Sequence, residues 1–130
     1  MPKRPYCART VFDAPTYSQG IKVTGGKAVL YISGQVSRDT KGRALHPGDF
    51  TAQARHVFQQ LKAMVEAGGG TLRDVVKITT YLTDIRYRQD LAPIREEFFG
   101  KNLPTSTLVE VSALAHPDFL IEVEAVAVLD

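Results

Sequence analysis

Two carboxylates stand two residues apart in an otherwise apolar run near the C-terminus, LIEVEAVAV, residues 120 to 128. The run is rich in β-branched residues and reads as a buried strand. On a strand, Glu122 and Glu124 project to the same side, about 7 Å apart. Two readings are open. A carboxylate in a wet cleft can take and return a proton, the work of a general acid or base. Alternatively the acids form salt bridges across a subunit contact, with Lys77, Arg73 or Arg38 as partners. An unpaired carboxylate sealed from water is excluded by its desolvation cost. Glu110 adds a third acid on a neighbouring segment.

Other chemistry-bearing residues point nowhere as clearly. Cys7 is the single cysteine, so it forms no internal disulfide. A lone thiol fits a reducing compartment. His46, His56 and His116 show no signature linking them to Cys7 as a nucleophile's partner. His56 has no second ligand three or four residues away, which argues against a metal site. The triple glycine at 68–70 follows a helix pattern and lacks a following Gly-Lys-Ser/Thr, so it is not a phosphate loop.

The elements that must position the acids follow from periodicity. Short β-prone pieces cover 10–12 and 21–23, with a Gly25-Gly26 turn after them. Residues 28–36, AVLYISGQV, form a strong strand; Gly34 inside it predicts a bulge or a close approach by a ligand or another backbone. Residues 49–67 form a helix with Asp49 as N-cap, an apolar stripe of Phe50, Ala54, Val57, Phe58, Leu61, Met64 and Val65, and glycines to end it. A strand at 75–82 follows. A second helix spans 90–99, with Asp90 as N-cap, Pro93 in its first turn, and Leu91, Ile94 and Phe98 on one face. Strands at 105–111 and about 120–128 close the chain.

The order β-β-β-α-β-α-β-β predicts an α+β domain or mixed sheet rather than a doubly wound one. In the last strand Ile121, Val123, Ala125, Ala127 and Leu129 share one face, suited to pack on the helices. Leu120, Glu122, Glu124, Val126 and Val128 share the other. Two helices cover only one face of such a sheet. The apolar residues on its other face imply an oligomer packed sheet to sheet.

Composition sets the outer bounds. The 130 residues fit one domain spanning the whole chain, with 44% apolar and 23% charged residues excluding disorder. A net charge of +2, with acids and bases interspersed, argues against nucleic acid as a partner. The N-terminal stretch lacks an apolar secretory core, and no apolar run reaches membrane-spanning length. A cytoplasmic protein is expected.

The whole chain, in order, resembles the YjgF/RidA family of small reactive-intermediate deaminases. The stretches that carry the likeness are YSQGIKV, ISGQV, the helix–glycine–strand run FTAQARHVFQQLKAMVEAGGGTLRDVVKITTYLTDI, and LPTSTLVEVSALAHPDFLIEVEAVAV. The resemblance implies a chorismate-mutase-like fold and a homotrimer. In it, the sheets line a central barrel, the helices lie outside, and clefts open between subunits. It implies a cofactor-free and metal-free hydrolysis of an enamine or imine to a carbonyl compound and ammonia. It assigns Tyr17 to the cleft, Ser33 and Gly34 to the backbone beside the substrate, and Glu122 to the water. Glu124 matches a second acid without a catalytic role.

One position departs from the pattern. The family's deaminases carry an arginine two residues after the signature proline, and it grips the substrate carboxylate bidentately. Here Pro104 is followed at that place by Ser106, with Leu108 at the next matched position. Losing such a charge-assisted pair costs on the order of 2–5 kcal/mol. Three readings follow. The first is a deaminase of altered specificity, using Ser106 for a neutral substrate or Arg38, Arg86, Arg88 or Lys77 for a charged one. An unsaturated amino-dicarboxylate would suit the latter case. The second is a trimer that binds a small metabolite without turnover. The third is an endoribonuclease, for which there is no His pair with a basic strip.

Overall fold

The computed structural model describes residues 3–130. Its strands are β1 (Lys3–Tyr6), β2 (Gly20–Val23), β3 (Ala28–Gln35), β4 (Val75–Leu82), β5 (Thr105–Glu110) and β6 (Ile121–Leu129); its helices are α1 (Phe50–Ala67) and α2 (Arg88–Phe99). The four long strands form a mixed sheet in the order β3-β6-β4-β5. β6 runs antiparallel to both neighbours, while β4 and β5 are parallel and joined through α2. β1 and β2 pair separately. The mixed α+β architecture is the one expected. Among the described residues, no helix is long and apolar enough to cross a membrane.

The expected strand at 10–12 is absent. The partner of β2 is instead Lys3–Tyr6, with Pro5 opposite Ile21. Two basic residues and a proline gave this segment no strand signature, yet an edge strand tolerates a proline because one side of its backbone needs no partner. Residues 8–11 turn, with the Val11 N–H on the Ala8 carbonyl at 3.0 Å.

Helix α1 starts where expected, with the Asp49 carboxylate accepting the Ala52 N–H at 3.1 Å. It ends in a left-handed glycine, Gly69, at φ 99°. The Gly69 N–H reaches the Glu66 carbonyl and the Gly70 N–H the Val65 carbonyl, each at 3.0 Å, which satisfies two of the helix's last carbonyls. Of the predicted stripe, only Met64 is exposed; Phe50, Ala54, Val57, Phe58, Leu61 and Val65 are buried. They meet Ile121, Val123, Ala125 and Ala127 of β6, Ile32 of β3 and Val75, Ile78 and Leu82 of β4 in one core. Helix α2 begins two residues before the predicted Asp90. A 3-10 turn, Ile85–Tyr87, leads into it, and Asp84 caps that turn by accepting the Arg86 N–H at 2.9 Å.

The other sheet face stays open. On it Tyr31 is 83% exposed, Val29 49% and Val109 40%.

One buried polar group ties these parts together. Gln53 of α1 is fully buried and donates to the carbonyls of His46 (3.0 Å) and Asp118 (2.7 Å), while it accepts the Leu120 N–H at 2.9 Å. It therefore fixes the point at which the chain enters β6. Gln53→Leu keeps the volume but leaves three backbone groups without their partner. We expect it to lower unfolding free energy by about 1–3 kcal/mol in urea denaturation.

Candidate functional site

Strand alternation decides where each candidate lies. With Ile121 and Val123 in the core, Glu122 and Glu124 emerge on the open face, in register with Tyr81 and Thr79 of β4. Glu124 accepts a hydrogen bond from the Tyr81 hydroxyl. This bond, followed by desolvation and the negative charges of Glu124 and Glu122, holds the Tyr81 phenol above its ordinary pKa. Lys77, Arg73 and Arg38, expected as partners across a subunit contact, make no ion pair with either glutamate among the described residues of one chain. Glu110 is also not their neighbour. It lies opposite Leu82, on the helix side, and its carboxylate accepts the Ile85 N–H at 2.9 Å.

Glu122 lies against Gly34. The β3–β6 register slips between Ile32 and Gln35, so Ser33 and Gly34 stand in a bulge. A Cβ added to Gly34 would fall on the Glu122 carboxylate. The close approach predicted at Gly34 is therefore made by a side chain of the neighbouring strand. Among the described residues no hydrogen-bond donor or cation in the chain holds Glu122; Tyr81 meets it only through its field.

A second cluster sits on the other side of the sheet. Ser106 lies opposite the buried Ile78, and Leu108 opposite the buried Thr80, both half-buried on the helix side. Since β5 is an edge strand, this side opens into a cleft of about 250 Å³ lined by Thr16, Tyr17, Ile85, Arg88, Arg95, Ser106 and Leu108. Tyr17 is carried there by a loop pinned to the start of β5. The Ser18 hydroxyl donates to the Leu103 carbonyl at 2.6 Å, and the Ser18 N–H reaches the Pro104 carbonyl at 3.2 Å. Thr105 in turn donates its hydroxyl to the Val76 carbonyl at 2.9 Å.

The structure thus brings Tyr17, Ser106 and Leu108 together, and separately Ser33, Gly34 and Glu122. Glu122 on β6 is two strands, about 10 Å, from β5, and the bulge on β3 is three strands away; the two groups face opposite sides. No single chain unites them. Of the cations considered for Ser106, Arg88 is in the cleft. Arg86 is held by Asp84, whose carboxyl those side-chain and backbone hydrogen bonds lower to about 2. Lys77 lies on the open face, opposite Val126. Arg95 was missed by sequence reasoning. Its signal was present: it stands seven residues after Arg88, two turns along the same helix face.

The remaining histidines have local roles. His56 Nδ1 is 2.9 Å from the buried Ser37 hydroxyl, and burial, then nearby His46, lowers its pKa. Among the described residues no group of three or more His, Cys, Asp or Glu is placed to hold a metal ion.

Comparison with known proteins gives a consistent picture. The profile of the family described as Endoribonuclease L-PSP matches residues 11–129. A RutC family protein of Pyrococcus horikoshii is 40% identical over 85% of each chain. Among solved structures, the conserved Rid-family protein YyfB of Yersinia pestis, itself of unknown function, superposes with a TM-score of 0.87. It is 29% identical and is covered to 100%, with 99% of this chain aligned. RidA from an Antarctic Psychrobacter species is 35% identical with a TM-score of 0.73, over 96% of this chain and 93% of its own.

The Tyr81–Glu124 bond yields a test of the open face. Its phenol pKa is raised above 10.0, so the bond's contribution to stability is complete below pH 10 and is lost as pH rises through the raised value. In an alkaline absorbance titration, one of the five tyrosines should ionise later than an ordinary phenol. Tyr81→Phe should remove that late component and flatten the alkaline decline in melting temperature.

Proposed function

The chain belongs to the YjgF/RidA family, and from that premise we propose that it hydrolyses a reactive enamine or imine to a carbonyl compound and ammonia. The observation that carries this reading is Glu122. It is an acid on an open sheet face, pressed against a glycine, without a cation or hydrogen-bond donor among the described residues. A carboxylate left in that condition has capacity to hold water.

In the proposed mechanism, Glu122 accepts a proton as water adds its oxygen to the imine carbon. The resulting carbinolamine takes that proton on nitrogen. The hydroxyl proton then passes by way of the Glu122 carboxylate to the nitrogen as the C–N bond breaks and the carbonyl forms, so R₂C=NH and H₂O become R₂C=O and NH₃. Tyr17, Ser106 and Leu108 contact the substrate, and the bulged backbone at Ser33 and Gly34 shapes the wall beside the reacting carbon. No cofactor enters this sequence of steps.

Because the two residue clusters face opposite ways, the reading requires a second copy to complete each site. We take the assembly to be a homotrimer, with the exposed Tyr31, Val29 and Val109 buried against neighbouring sheets. The lone Cys7, which a reducing compartment suits, supports a cytoplasmic setting.

The test is ammonia release from oxidase-generated imines. Glu122→Ala should slow it by about 10²–10⁴-fold, the usual span for a positioned acid–base group. Equal rates for the two proteins, or no rate above buffer, would sink the proposal. Ser106→Arg should increase turnover of small monocarboxylic imines. Ligand-dependent thermal stabilisation without any turnover would instead establish a metabolite-binding trimer. The family's description as an endoribonuclease favours a second reading, RNA cleavage. It would be supported by cleavage that persists through stringent purification and disappears with Glu122→Ala.

A further inference from the structure

The cleft beside Ser106 holds two guanidinium groups. Arg88 and Arg95 both line it, and both also line the adjoining space along α2, about 400 Å³, with Thr16, Ile85 and Leu108. Neither makes an ion pair or a side-chain hydrogen bond among the described residues, whereas Arg43, Arg55 and Arg86 each hold a carboxylate. No aspartate or glutamate lines this cleft or the adjoining space along α2, and Glu110 of β5 accepts the Ile85 N–H. Burial, then the field of Arg88, lowers the pKa of Arg95, so the two positive charges act on one another. An arginine stays charged at neutral pH even so. Two like charges turned into one partly buried cleft, with hydroxyls of Thr16, Tyr17 and Ser106 around them, are an arrangement that an anion stabilises.

We propose that Arg88 and Arg95 jointly replace a strand-borne arginine at position 106, and that they select a substrate carrying two carboxylates. This rests on the deaminase reading for the identity of the reacting group, but the anion selectivity stands on the cleft alone. Seven residues on a helix separate the two Cα atoms by about 10 Å, so the charges enter from two points. A short dicarboxylate can engage both guanidiniums. A monocarboxylate engages one and leaves the repulsion of the other uncompensated. Ser106, short and uncharged, leaves room for the second carboxylate.

Calorimetric titration of the full-length protein with succinate, glutarate and adipate, against butyrate and inorganic phosphate, tests the proposal. At least one dicarboxylate should bind ten-fold or more tighter than butyrate and than phosphate. Arg88→Gln and Arg95→Gln should each erase that preference while leaving the melting temperature of the unliganded protein within a few degrees. Dicarboxylates no tighter than butyrate, phosphate binding as tightly as the best dicarboxylate, or unchanged preference in both variants would overturn it. Kinetics separate the two proposals. Selective dicarboxylate binding with no ammonia release from any imine upholds the anion site and removes the deaminase. Ammonia release with the same KM for mono- and dicarboxylic imines, unmoved by either Arg variant, upholds the deaminase and removes the anion site.

Discussion

Every side chain of β6 must go to one of two faces, and the rest of the structure depends on how that choice is made. The strand is paired on both sides, so it cannot rotate or slip without breaking two ladders. Its alternate residues, Ile121, Val123, Ala125 and Ala127, fill the core under α1. A shift by one residue would put Glu122 and Glu124 into that core and four apolar groups into water. Burial of these apolar residues thus sets both acids on the open face, where Glu124 in addition accepts the Tyr81 hydroxyl. The chemistry on offer there is a by-product of core packing, made precise by Gln53 at the strand's entry.

The helix side of the sheet is organised by a different principle. The edge position of β5 leaves a gap between strand and α2, and that gap is lined by cations and hydroxyls. The core cannot close it, because Arg88 and Arg95 would have to be desolvated without partners. Glu122 on one face and Arg88 and Arg95 on the other are thus each without an ion pair among the described residues.

Sequence patterns revealed the parts governed by strong periodicity. The α1 stripe and the two faces of β6 were legible because many residues repeat the same signal. Elements resting on one or two residues were not. Pro5 hid β1, because a propensity reading penalises proline in a strand while an exposed edge does not. Asp84 and Asp90 are both plausible caps, and only the 3-10 turn between them shows that Asp84 acts. Pairing across strands was out of reach as well. The Tyr81–Glu124 bond joins residues 43 apart in the chain and depends on the register of β4 against β6. Similarly, Ser106 could be recognised as a departure, but the two arginines facing it come from a helix whose rotation only the packing of Leu91, Ile94 and Phe99 determines.

The contact of Glu122 with Gly34 has an evolutionary consequence. Any residue larger than glycine at 34 collides with a full-length acid at 122, and a shorter acid at 122 leaves a hollow beside the bulge. The two positions are thus one unit of change. Drift at either alone passes through a strained or hollowed intermediate, so the pair should be inherited together or exchanged together, while Glu124, tied only to a phenol at its tip, is freer to vary.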